Sequence, residues 1–164
     1  MMFRIAAALI VLGWSVGVMD AARADQTAPA TNSSQTAPTT GAKPVASTTW
    51  GGAYTEAQAK LGQDVYTKTC AECHGQDLAG DGFAPALKGP EFMGNWNGLT
   101  LGDLFERIRV SMPPTNPNSV TPKEKVEIIA YLLKQAPFPA GKADLPATQD
   151  ALKLIKFEAT KPVK

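Results

Sequence analysis

The sequence predicts a small all-α domain, and three observations carry that prediction. Separate stretches repeat apolar residues at helical spacing, and each follows a threonine placed as a cap. No run alternates convincingly with period two, so strands have no support. Glycine and proline cluster between the periodic stretches, where they would break any long regular element.

In chain order, residues 1–24 read as an export signal rather than as fold. Arg4 precedes an apolar run from Ile5 to Met19, and the small-residue site Ala22-Arg23-Ala24 stands just before Asp25. That run covers 15 residues, short of the ~18–20 a bilayer-spanning helix needs. An uncleaved anchor is the competing reading. Residues 25–49, DQTAPATNSSQTAPTTGAKPVASTT, repeat QTAP at Gln26 and Gln35 and hold little that could form a core. They predict a disordered linker.

Order is expected from Trp50. Thr55 with Gln58 has the form of a capping box, and Ala57, Leu61 and Val65 then share a helical face, which predicts a first helix to about Lys68. Gly75, Gly80, Gly82, Gly89 and Gly94, with Pro85 and Pro90, make the next stretch a long loop. Thr100 caps a second helix carrying Leu101, Leu104, Phe105 and Ile108, which must stop near Met112 because Pro113 and Pro114 cannot continue it. Thr121, Pro122 and Glu124 supply a cap, a first-position proline and a box glutamate for a third helix through Val126, Ile129, Leu132 and Leu133. The expected domain is residues 50–142. Residues 143–164 are expected as a tail, with Thr148 capping a short helix anchored by Leu152 and Ile155.

Charge names no partner. The whole chain carries +1, and removal of residues 1–24 leaves 14 basic and 14 acidic side chains. That balance gives no footprint for nucleic acid and no pull toward an anionic surface. No stretch of the mature chain is long and apolar enough to span a membrane. A core of this size often depends on a staple or a cofactor.

The chemistry concentrates in CAECH, where Cys70, Cys73 and His74 use both cysteines and the single histidine of the chain. A thioredoxin-type disulfide expects strands around it, and this chain offers none. A structural zinc site wants four ligands, usually in two pairs, and the cysteine supply ends at two. The remaining reading is C-x-x-C-H as the attachment site of c-type haem. Two intervening residues let one turn of chain place both thiols on one porphyrin edge, and His74 then reaches iron as the proximal ligand. For the second axial position methionine is the remaining common partner. Met1, Met2 and Met19 leave with the signal, so Met93 and Met112 compete. Met112, in SMPP, sits on a segment stiffened by two prolines. Met93, in EFMGNW, reads more simply as a gap-filling core residue.

With CAECH, SMPP and the flanking helices, the chain resembles a class I monohaem c-type cytochrome over about Trp50 to Lys142. The resemblance implies a cytochrome c fold of three to five helices around one covalent haem c and its iron. It implies that the first and last helices cross, with Gly62 and Tyr66 on the first facing Tyr131 or Leu132 on the last. It favours Met112 as the ligand. In APALKG it makes Pro85 the carbonyl that accepts the Nδ1–H of His74. Trp96, Arg107 and Arg109 are candidate donors to haem propionates, against simple packing or solvated faces. More narrowly, YTEAQAKLGQDVY, GPEF, NW, AYLL and FPAG resemble exported cytochromes found beside quinoprotein dehydrogenases that use pyrroloquinoline quinone. The expected function is a periplasmic electron carrier, not an enzyme, taking electrons from a dehydrogenase and passing them to a terminal oxidase or other acceptor. The alternative is a haem enzyme or a gas or redox sensor with an open sixth iron position.

Overall fold

The helices begin where side chains can satisfy their first N–H groups. The structure is a computed structural model and describes residues 46–163. The expected signal segment and most of the expected linker lie outside the described residues. Within them run α1 (Glu56–Thr69), α2 (Ala71–His74), α3 (Gly89–Trp96), α4 (Leu101–Ser111), α5 (Pro122–Gln135) and α6 (Gln149–Leu152), with short 3-10 turns at Thr49–Gly51 and Pro117–Ser119. No strand forms among the described residues; Lys156 makes isolated bridges to Thr48 and Thr100.

Thr121 and Glu124 form a reciprocal capping box at the start of α5, as expected, and Thr100 forms a second one with Asp103 at the start of α4. The Thr55 box is only half present. Thr55 Oγ1 accepts from the Gln58 amide at 3.1 Å. The Gln58 side chain is buried instead against Leu145, donating to its carbonyl at 3.1 Å and accepting from its N–H at 2.8 Å. A buried backbone pair needing partners outcompetes a cap that water can serve.

α5 is the centre of the fold, buried continuously from Lys125 to Leu133. α1 crosses it closely. Gly62 makes the crossing: a Cβ there would lie 1.8 Å from the Glu127 carbonyl oxygen. One turn further, the Tyr66 and Tyr131 rings pack at a 50° tilt with centroids 5.3 Å apart. Gly62 and Tyr66 lie at the crossing as the resemblance implied, and only the face expected from periodicity is corrected. Ala57 and Leu61 are exposed, and Gln58, Ala59, Gly62 and Tyr66 are the buried residues. The closest approach of two backbones, rather than the largest aliphatic side chain, sets which stripe faces the partner.

The expected boundaries also shift at both ends. Thr49 is fully buried, and Thr49 N–H donates to the Lys156 carbonyl at 2.9 Å, so the fold takes in residues assigned to the linker. The tail after Lys142 is core. Leu145, Leu152, Ile155 and Phe157 are all buried. Residues 155–157 thread between the two neighbouring segments, with Leu101 donating to Ile155 and Phe157 donating to Leu99. Trp50, Phe138, Phe157 and Phe92 continue as edge-to-face pairs 5.1–5.9 Å apart, and Trp96 packs tilted on Phe92. The glycine-rich loop holds one further helix, α3, with Pro90 in its first turn.

Candidate haem attachment site

α1 delivers the chain into the motif without a break. Cys70 N–H still bonds to the Tyr66 carbonyl at 2.9 Å, and the Cys73 and His74 amides turn back on the Cys70 carbonyl at 3.2 and 3.0 Å. Both thiols and the imidazole therefore belong to one helical turn. Tyr66 supports that turn from below, its hydroxyl donating to the Gly75 carbonyl at 2.7 Å. Burial pushes the Tyr66 phenol well above its usual value, so the hydroxyl keeps its proton for that bond.

His74 is buried, 8 % exposed. Its Nδ1 lies 2.8 Å from the Pro85 carbonyl oxygen. A carbonyl can only accept, so Nδ1 carries a proton, and in the neutral ring Nε2 is then the nitrogen with the free lone pair. The loop that carries Pro85 is tied back to the motif by Gly80 donating to His74 and Leu87 donating to Leu78, both at 2.9 Å. Gly80, at φ +71°, lets the loop close on itself, since a Cβ there would stand 2.4 Å from the Ala84 carbonyl oxygen. Asp81 accepts from the Phe83 and Ala84 amides at 2.9 and 2.8 Å. Those amides, Ala84 foremost, hold its carboxyl below the usual range. Sequence reasoning missed Asp81, although Asp81-Gly82 is itself a turn signal.

The cysteines form no disulfide; Cys70 is half-buried and Cys73 exposed. Burial pushes the Cys70 thiol up, against a smaller opposing pull from Thr69, whose hydroxyl is 3.4 Å from Sγ. An oxidoreductase thiol is shifted the other way. No group of three or more His, Cys, Asp or Glu among the described residues could hold a metal ion by itself. Cavities of ≈ 630 and ≈ 270 Å³ open elsewhere, and no motif residue lines them. The donor set, two free thiols on one turn beside an imidazole with a fixed tautomer, fits a covalently attached haem.

Met112 is carried separately. It is the C-cap of α4, half-buried and in extended backbone, and it lies outside the apolar cluster of the core. Met93, on α3, is packed against that cluster. Trp96 packs there too, and the Arg109 guanidinium makes two 2.7 Å bonds to Glu106, so packing and surface pairing account for both. Arg107 is exposed.

Residues 57–132 match the family model described as cytochrome c oxidase, cbb3-type, subunit III. No curated protein and no solved structure matches the chain.

Proposed function

We propose that this c-type cytochrome domain, with its all-α cytochrome c fold and its covalent haem c and iron, serves as a periplasmic one-electron carrier with His74 and Met112 as axial residues. The haem supplies one-electron exchange between ferrous and ferric iron. Cys70 and Cys73 would hold it by thioether bonds. His74 presents Nε2, and the Pro85 carbonyl fixes the ring's orientation and makes that nitrogen more basic. The 2.8 Å bond between Nδ1 and Pro85 is the observation that supports this reading most. Met112 stands at the end of a capped helix with its thioether uncommitted to the core. A histidine and a methionine together close both axial positions, which favours outer-sphere electron transfer over chemistry on a bound substrate.

The single histidine of the chain is held by Pro85, so general acid–base work would fall to carboxylates. Asp81, Asp103 and Glu124 are engaged in turns and caps. The proposed donor is a quinoprotein dehydrogenase, resting on the resemblance of YTEAQAKLGQDVY, GPEF and FPAG. The oxidase subunit named by the matched family supports a terminal oxidase as acceptor. No helix of the described residues is long and apolar enough to cross a membrane.

Carbon monoxide tests the closed coordination. The reduced protein should bind it only sluggishly, whereas ready binding would mean an open iron and favour the enzyme or sensor. The donor assignment is tested by mixing oxidised protein with a quinoprotein dehydrogenase and its substrate. Reduction should follow at once in the visible spectrum, and a spectrum that stays oxidised would reject that donor.

A further inference from the structure

Lysine is rarely buried, yet Lys125 is 2 % exposed at the second turn of α5. Its Nζ donates to the Pro117 carbonyl at 2.6 Å and to the Arg109 carbonyl at 3.4 Å. These two carbonyls bracket Met112. The Arg109 carbonyl has a reason to need an outside donor. In a continuing helix it would accept from the residue four positions on, which is Pro113 and has no N–H. The C-terminal end of α4 is also the negative end of its dipole, where a cation is favoured.

The remaining hydrogen bonds of the segment are local. Asn116 N–H donates to Pro113 at 3.1 Å, and the Ser119 amide and hydroxyl donate to Asn116 at 3.0 and 2.8 Å. Among the described residues, Lys125 is the side chain that bonds both flanks of Met112 to the central helix. Burial pushes the Lys125 ammonium below its usual value, and the Arg109 charge acts in the same direction. A group held at that cost needs its two carbonyls.

We infer that Lys125 is the positioning residue for the Met112 thioether, clamping both flanks of the methionine segment to the helix that also crosses α1. The inference rests on Met112 being the axial ligand. It differs from a general contribution to stability, because replacing a buried ammonium by an apolar side chain of similar length can leave stability unchanged or raise it.

The test uses oxidised holoprotein and imidazole, a ligand that enters by displacing the methionine. The unaltered protein must first show a methionine–iron charge-transfer band that Met112→Ala abolishes. If that band is missing, the ligand assignment fails and the Lys125 role falls with it. Given the band, Lys125→Met should weaken it and bind imidazole about tenfold more tightly, because the methionine segment opens more readily. Lys125→Gln, too short to reach both carbonyls, should shift affinity in the same direction. Gln58→Leu, which breaks the distant pairing with Leu145, should lower the melting temperature and leave imidazole affinity unchanged. Equal imidazole affinity in unaltered protein and both Lys125 variants would overturn the inference. So would a shift of the same size in Gln58→Leu, which would mark global loosening.

Discussion

His74 has two ring nitrogens, and the Pro85 carbonyl determines which one is left free, the nitrogen that the proposed function gives to iron. That choice depends on the loop between them, and the loop depends on Tyr66. The Tyr66 hydroxyl is the part of that side chain that reaches beyond packing, since its ring already packs at a tilt against Tyr131. Tyr66→Phe should therefore keep the crossing and lose the bond to the half-buried Gly75, lowering stability by about 0.5–1.5 kcal/mol in a denaturant titration, the usual net worth of a hydrogen bond. An unchanged midpoint would show that water replaces the hydroxyl. The motif itself is legible from spacing, because residues within one turn are neighbours whatever the rest of the chain does. Lys125 was not legible: a lysine inside an amphipathic pattern reads as a solvated face, and only the fold brings the Arg109 and Pro117 carbonyls to its ammonium.

At the scale of elements, caps decide where helices start and close approach decides which face they bury. Gly62 has no room for a methyl group, so Gly62→Ala must push α1 off α5. Overpacking of this kind costs about 1–3 kcal/mol where the neighbours can move, and here the neighbour is backbone. Thermal unfolding of Gly62→Ala should fall at or beyond the upper end of that range, and a melting temperature matching the parent would contradict the crossing. The capping boxes predict acid sensitivity. Bonds from Thr100 lower Asp103, and bonds from Thr121 lower Glu124. A depressed folded-state value means the stabilisation is present above the unfolded carboxylate range and is lost as pH falls through the folded one. Stability should decline progressively below about pH 4, and less so in the double variant Asp103→Asn, Glu124→Gln. Helix starts were legible because caps are local. The buried face of α1 was not legible from periodicity, which offered Leu61; Gly62 carries no hydrophobic signal, and it was the family resemblance that placed Gly62 and Tyr66 at the crossing.

For the whole molecule, the tail and the first described residues close the core that the helices leave open. Sequence patterning ended the domain at Lys142, since the tail offers only Leu152 and Ile155 as a short periodic signal. Its burial is set by partners far away in sequence: Phe157 against Phe92 and Phe138, and Leu145 against Gln58. A chain ending at Lys142 removes four buried apolar side chains, each worth about 1.5–3 kcal/mol when fully buried, together comparable with the whole stability of a small domain. Circular dichroism of that truncated holoprotein should show loss of cooperative melting, and a melt like that of the full chain would restore the shorter boundary.

The proposed electron-carrier function depends on which atoms hold the iron. The oxidised spectrum of the Met112→Ala and Met93→Ala variants reads this directly. The charge-transfer band of a methionine–iron bond should vanish in Met112→Ala and persist in Met93→Ala; a band that survives Met112→Ala, or disappears with Met93→Ala, would contradict it.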